Sequence, residues 1–350
     1  MKLIPATILT GFLGSGKTTL LKRILSEEHG MKIAVIENEF GEENIDSELL
    51  VHEGSEQIVQ MSNGCVCCTI RGDLAAALGD LAAKCNRGEL DFDRVVIETT
   101  GMANPGPVAQ TFFMDDDVAT AYLLDAVITL VDAHHGQKQL DAREEAQRQV
   151  GFADRIIITK PDLSDEAALA ALRSRLLHMN PRAPIRAARF GDMPLSEFFD
   201  LRGFNLNATL EIDPHFLEDD GHDHHGHDHG HDHVHDEHCG HDHHHHHGSA
   251  HDDHIGSIVF RSERPFDSDK LEDFLSHLLA RHGEQLLRYK GVLNVAGMPR
   301  KVVLQGVHQL MGTDLGAPWG STEPRQSRMV WIGVDLPKAA ILEGLESCLK

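Results

Sequence analysis

Residues 10–21 read TGFLGSGKTTLL, and within them Gly11, Gly16, Lys17 and Thr18 complete the spacing G-x-x-x-x-G-K-[ST]. Glycines let the backbone curl closely round a polyphosphate, so that successive N–H groups point at its oxygens. Lys17 supplies a point charge for the outer phosphates, and the Thr18 hydroxyl is placed for Mg²⁺. The flanks agree. An apolar run from Leu3 to Leu9 reads as a buried strand, and Leu20, Leu21, Ile24 and Leu25 have helical spacing. The helix start adds a partial positive charge where phosphates would lie. An ordinary glycine-rich turn explains this less well. The stretch implies a nucleoside triphosphate site on an α/β sheet.

The rest of the N-terminal half fits that sheet. Strands are predicted at Lys2–Leu9, Lys32–Glu37, Arg94–Glu98, Ala126–Val131, Arg155–Thr159 and Pro184–Ala188. Most are continuous apolar runs, as strands buried on both faces should be. Helices are predicted at Thr18–Glu28, Gly72–Asn86, Ala142–Gln149 and Asp165–Met179. This alternation implies a P-loop NTPase domain with a mainly parallel sheet, and ligand at the carboxyl ends of its strands. After residue 254 the pattern changes. Strands are predicted at Ile255–Phe260, Val292–Val295, Lys301–Val307 and Met329–Val334, and helices at Ser268–Arg281 and Lys338–Leu349. These make a smaller α+β domain. The expected division is 1–205, a linker or loop at 206–254, and 255–350.

That linker is the unusual part. Between Gly203 and Phe260 there are 13 acidic residues and no Lys or Arg. Residues 215–254 hold 18 of the chain's 26 histidines, in HDH and HGHDH units. With nothing to bury, the segment is expected to be disordered. Neutral imidazoles interleaved with carboxylates bind divalent ions loosely, and His222, His224, His225, His227, His229, His231 and His233 open that array. A purification tag is the bland reading of the run His243–His247, but the HDH units begin well upstream of it. The net charge of −23 suits cations as partners, and no basic patch of nucleic-acid type is visible. No run of 18 apolar residues exists, so no membrane span is expected. The phosphate loop follows the first apolar run at once, with no small-residue cleavage site, which argues against a signal peptide.

Three further stretches carry chemistry. Arg94–Glu98 is an apolar strand ending in a carboxylate, followed by Thr99, Thr100 and Gly101. Beside a phosphate loop, such an acid can hold Mg²⁺ or its water, and the glycine N–H can face the γ-phosphate. Residues 159–162 read TKPD. The Asp162 carboxylate only accepts hydrogen bonds, and guanine, unlike adenine, offers two adjacent donors. Lys160 can lie along the base. Cys65, Cys67 and Cys68 place three thiols in four residues, soft ligands suited to Zn²⁺ or Cu(I). Clustered cysteines of this kind argue for a reducing compartment rather than disulfides. The carboxylates of Glu37–Glu42, after the second strand, could complete the metal set. A redox pair or buried structural cysteines are the alternatives. His134 and His135 read as solvated loop residues, and Cys85 and Cys348 as core.

Taken in order, GFLGSGKTTLL, IENEFGEENID, NGCVCC, VIETTGMANPGP and ITKPDL resemble the CobW-type metallochaperone GTPases, in their YjiA-like branch. LLRYKG, LQGVHQL and MVWIGVDL resemble that family's C-terminal domain. The resemblance spans nearly the whole chain outside residues 215–254. It implies a cytoplasmic GTPase that uses GTP and Mg²⁺, binds Zn²⁺ or sometimes Co²⁺, and delivers the metal to client metalloproteins. It places Gly11, Phe12, Leu13, Gly14, Ser15, Gly16, Lys17, Thr18 and Thr19 in the nucleotide loop. Glu98 becomes the Mg²⁺-side acid, Thr100 and Gly101 the γ-phosphate turn, and Lys160 and Asp162 the base-reading pair. Lys17, Thr18 and Glu98 would carry catalysis, and Cys65, Cys67, Cys68, Glu37 and Glu42 the cargo metal. Thr159 stands where Asn is commoner, and GEENID departs from a frequent GEVGID. Turnover is expected to be slow, because no arginine finger or water-positioning Gln is evident. Rival readings are a nickel- or cobalt-insertion GTPase, a histidine-rich metal store with incidental nucleotide binding, and a small-molecule kinase. For the C-terminal domain, client recognition, covering of the nucleotide domain and self-association all stay open.

Overall fold

The computed structural model describes residues 3–27, 29–37, 57–60, 70–204 and 253–350. Cys65, Cys67, Cys68, Glu42 and the histidine tract from His222 onward lie outside them.

Seven strands form one parallel sheet: β1 (Ile4–Gly11), β2 (Ile33–Glu37), β3 (Gln57–Gln60), β4 (Arg94–Glu98), β5 (Tyr122–Asp132), β6 (Arg155–Thr159) and β7 (Ile185–Ala188). Their order is β3-β2-β4-β1-β5-β6-β7. Side chains alternate across a strand, so a sheet covered on both faces needs apolar residues at every position. Ile8, Ile36, Ile97 and Ile158 enter one core. Leu9, Val35, Val96 and Ile157 enter the other, with Leu20, Leu21 and Ile24 of α1 (Lys17–Ser26). The remaining helices here are α2 (Ile70–Asn86), α3 (Pro105–Met114), α4 (Asp116–Ala121), α5 (Gly136–Ala142), α6 (Glu144–Phe152) and α7 (Glu166–Met179).

The C-terminal part is an antiparallel sheet in the order β11-β10-β9-β12-β8. Its strands are β8 (Ile255–Ser262), β9 (Leu286–Leu293), β10 (Arg300–Val307), β11 (Leu310–Pro318) and β12 (Ser327–Val334), with α8 (Ser268–His282) and α9 (Lys338–Ser347). Tyr289 and Trp331 stack at 4.8 Å on one face, in a core shared with Leu275 of α8 and Ile341 of α9. The opposite face belongs to the first core: Leu287, Val307, Val330 and Ile332 pack with Val150 and Phe152 of α6. A methyl on Gly151 would come within 2.7 Å of Leu287. Helix α6 thus lies directly against the second sheet.

The sequence reading placed most of these elements and missed five. β3, α3, α4, α5 and β11 were not expected. α3 carries Pro and Gly in its first turn, where the lost N–H is harmless. β11 is an edge strand exposed along most of its length, so it lacks an apolar signature. The strand expected at Val292–Val295 overlaps the end of the longer β9, and the helix expected at Ala142–Gln149 corresponds to α6.

A buried charge cluster joins the two parts. Asp154, between α6 and β6, lies 2.5 Å from Arg288 Nη2 and 2.9 Å from Lys290 Nζ, and its side chain is 5% exposed. Arg288 also donates to Phe152 O at 2.9 Å, a cation at the carbonyl end of α6. Burial disfavours the Asp154 charge, but Arg288 and Lys290 outweigh it and hold the carboxyl below its ordinary range. A depressed carboxyl stabilises the fold above its unfolded pKa, and that contribution is lost as pH falls through the folded value. Asp154→Asn is expected to take away the carboxylate that contacts two buried cations. It should cost about 3–5 kcal/mol in urea unfolding at neutral pH, and the difference from the parent should shrink on acidification.

Candidate functional site

The phosphate loop runs from the end of β1 into α1. Gly11 and Gly16 have φ of 145° and 94°, values that side chains resist. A Cβ on Gly11 would meet Leu130 O at 2.5 Å. Gly16 caps α1 with no side-chain hydrogen bond, so no side chain competes for the first-turn amides of the helix. Lys17 is buried, and its Nζ donates to Gly11 O at 2.9 Å, which holds the amine over the loop. Phe12, Leu13, Gly14 and Ser15 form the bend, with Ser15 N donating to Phe12 O at 3.1 Å.

Parallel pairing brings the acids to this loop. Leu9 is the register partner of Glu98, and Glu98 that of Glu37. The carboxyl ends of β2, β4 and β1 therefore lie side by side. Thr18 Oγ1 donates to Glu98 Oε1 at 3.2 Å. Behind them Thr99 Oγ1 donates to Thr10 Oγ1 at 2.8 Å. The turn Thr100–Gly101 meets the loop closely: a Cβ on Gly101 would stand 2.6 Å from Leu13 Cδ2 and 2.7 Å from Leu13 N. Gln149 of α6 donates to Gly101 O at 3.2 Å and Ala103 O at 3.0 Å.

On the other side of β1, the end of β6 faces the loop. Thr159 Oγ1 lies 2.7 Å from Ser15 O, so its hydroxyl proton serves the loop. Lys160, at φ 52°, donates from Nζ to Gly14 O and to Asp132 Oδ2, both at 2.7 Å. Asp132 also accepts from the backbone of His134 and His135 at 2.8 and 3.1 Å. Burial opposes its charge, but Lys160 and those amides hold the carboxyl below its ordinary range. His134 Nδ1 bonds Leu163 O, which ties the loop after β5 to the loop after β6. Between Thr19, Thr159, Lys160, Asp162 and Phe190 lies a cavity of about 190 Å³. Its wall is largely apolar side chain, and Asp162 is 31% exposed, with Arg189 Nε 3.6 Å away. Such a slot suits a flat base whose edge donates to a carboxylate.

The expected nucleotide residues Gly11–Thr19, Glu98, Thr100, Gly101, Lys160 and Asp162 are thus gathered on one edge of the sheet, with Glu37 beside Glu98. Among the described residues, no group of three or more His, Cys, Asp or Glu is gathered to hold a metal. Sequence reasoning passed over Asp132, Gln149 and Phe190. Asp132 ends an apolar strand, as Glu98 does, and that signal could have found it. Gln149 and Phe190 carry no local signal, because tertiary packing alone brings them here.

Two family models cover most of the chain: the CobW/HypB/UreG nucleotide-binding domain matches residues 5–187, and the cobalamin synthesis protein CobW C-terminal domain matches 255–349. The chain belongs to the CobW family. It is 41% identical to the zinc chaperone YjiA of Escherichia coli K12 over 97% of both chains. It is 34% identical to the zinc chaperone CobW of Pseudomonas aeruginosa, over 99% of this chain and 92% of that one. A crystal structure of Zn(II)-bound YjiA GTPase from E. coli superposes with a TM-score of 0.76, at 37% identity and full coverage of both chains. Among the described residues of this family member, no helix is long and apolar enough to cross a membrane.

Gly101 gives a direct test of the joint between turn and loop. Gly101→Ala is expected to push Leu13 and the phosphate loop apart and weaken nucleotide binding about ten-fold or more. Titration of a fluorescent GDP analogue measures it, with thermal melting to show that the fold is retained.

Proposed function

We propose that this protein is a GTPase that holds Zn²⁺ and passes it to client metalloproteins, with the nucleotide setting when the metal is held. The observation that carries this reading is the register of β2 and β4. It sets Glu37, at the start of the segment leading to Cys65, Cys67 and Cys68, beside Glu98, which bonds Thr18 of the phosphate loop. One change at the β2–β4 edge therefore bears on both the nucleotide and the thiol segment. Thr18 and Glu98 fit a resident Mg²⁺, as a hydroxyl and a carboxylate of hard oxygen character beside the phosphate loop. When bound, the ion neutralises charge on the phosphates. Lys17 and the α1 amides bind and orient those phosphates, Gly101 faces the outer one, and Lys160 with Asp162 reads guanine.

The zinc cargo would be held by Cys65, Cys67 and Cys68, with Glu37 and Glu42 completing the set. The tract from His222 through His233 would gather metal loosely. In this reading the chain divides into a GTPase part, 1–205, the tract at 206–254, and a C-terminal part, 255–350, in a protein of the cytoplasm. The names of its relatives support zinc over nickel or cobalt.

Two outcomes test this. Zn²⁺ affinity, measured by chelator competition, should differ about five-fold or more between the apo, GDP-bound and GTP-analogue-bound protein. Zn²⁺ should shift nucleotide affinity by the same factor, because coupling is reciprocal. Equal zinc affinities in all three states would sink the coupling. Asp162→Asn exchanges an acceptor for a donor at the base edge. It should lower kcat/KM for GTP by roughly a hundred-fold, while turnover of xanthosine triphosphate, with an oxo group at that position, rises relative to GTP.

A further inference from the structure

Residues 304–310 of the second sheet read LQGVHQL, a stretch that the nucleotide and zinc reading leaves without a role. It carries the end of β10 into β11. Val307 pairs with Leu310, so His308 and Gln309 alone make the turn. His308 holds a φ of 54°. That is the left-handed region, where a tight hairpin usually places glycine and where a side chain costs conformational energy. The tip is braced from the sheet: His308 N donates to Leu287 O at 3.4 Å, and Tyr289 Oη donates to Leu310 O at 2.9 Å.

From this tip the His308 side chain reaches the N-terminal part. Its ring meets the Phe152 ring edge-on, with centroids 5.3 Å apart, and Phe152 is wholly buried at the end of α6. The imidazole also meets the first turn of α3. A Cβ on Gly106 would stand 2.6 Å from His308 Nε2 and 2.8 Å from Phe152 Cζ, so the ring lies directly on the Gly106 backbone. Gly106 is tied to the turn before it. Its N–H donates to Asn104 Oδ1 at 3.0 Å, and Ala103 N donates to Thr100 O at 3.1 Å. Gln149 holds the carbonyls of Gly101 and Ala103. Residues 100–106 therefore form one braced piece with a close contact at each end. Gly101 abuts Leu13 of the phosphate loop, and Gly106 abuts His308 of the second sheet.

We propose that His308 is a positioning residue for GTP hydrolysis. From the hairpin tip it backs the first turn of α3 and keeps Thr100–Gly101 pressed toward the phosphate loop. This role rests on the reading that Gly101 faces the outermost phosphate. The second sheet then completes the site for the triphosphate alone, because a diphosphate has no group for Gly101 to meet. His308 touches no reacting atom and passes no proton. It acts through distance, and misplacing a positioned group by about 1 Å costs up to roughly a hundred-fold in rate.

The test is single-turnover GTP hydrolysis by the full-length protein, with GDP affinity and the melting curve measured beside it. His308→Gly removes the ring and relieves the left-handed backbone. Hydrolysis should slow about ten-fold while GDP affinity stays within about two-fold of the parent. His308→Asn tolerates the same φ but is too short to reach Gly106, and should behave alike. Gly106→Ala drives a methyl into the imidazole and should slow the parent by a similar factor. In the His308→Gly background the methyl takes space the ring has left, so it should cost less than about two-fold further. The proposal is overturned if His308→Gly and His308→Asn, shown folded by their melting curves, hydrolyse GTP as the parent does. It is equally overturned if they weaken GDP as much as they slow hydrolysis, or if the losses from Gly106→Ala and His308→Gly multiply. Gly101→Ala in the same assay separates the two levels. If it leaves the rate at the parent's value, the reading of the turn falls and this role with it. If it slows hydrolysis and the His308 variants do not, the role of His308 alone falls.

Discussion

Parallel pairing of β2, β4 and β1 is the constraint on which the rest depends. All seven strands of the first sheet point one way, so their carboxyl ends share an edge. The pairing turns residues far apart in the chain into neighbours: Glu37, Glu98 and Leu9 stand in one row, two residues before Gly11 begins the curl. The curl itself is possible because Gly11 presents only hydrogen to Leu130 O. Were the register of β4 shifted by one residue, Glu98 would turn to the opposite face and Thr18 would lose its partner.

Loops on both sides of β1 then close on the bend from chemically different directions. From the β4 side the approach is steric, Gly101 against Leu13. From the β6 side it is polar, with Thr159 on Ser15 O and Lys160 on Gly14 O. Thr159 replaces an Asn amide by a hydroxyl and still ties the β6 loop to the phosphate loop. What it gives up is the amide's second donor, which would otherwise be free to face a base. In the proposed reading, guanine selection then rests more heavily on Asp162.

Much of this was legible in the sequence, for identifiable reasons. A strand buried on both faces must be apolar throughout, so β1, β2, β4 and β6 stand out from their composition. The phosphate loop is legible because its glycines are demanded by backbone geometry, whatever surrounds them. Edge strand β11 and short helices α4 and α5 were not legible, since each has little apolar surface to pattern. Lys290 and Asp154 read as ordinary charged residues in the chain. Their burial together is a property of how two sheets meet, which no local pattern encodes. Gln149 was invisible for the same reason: its two acceptors lie 48 and 46 residues away.

That glutamine gives helix α6 a mechanical character. Its last turn is pinned twice, through Gln149 to the carbonyls of Gly101 and Ala103 and through Phe152 O to Arg288 of the second sheet. In between, Gly151 leaves no slack against Leu287. A displacement of the Gly101 turn must therefore either break the two Gln149 hydrogen bonds or drag α6 along. α6 is a short strut in a close-fitting socket, and the stiffer alternative is for turn, helix and second sheet to travel as one body.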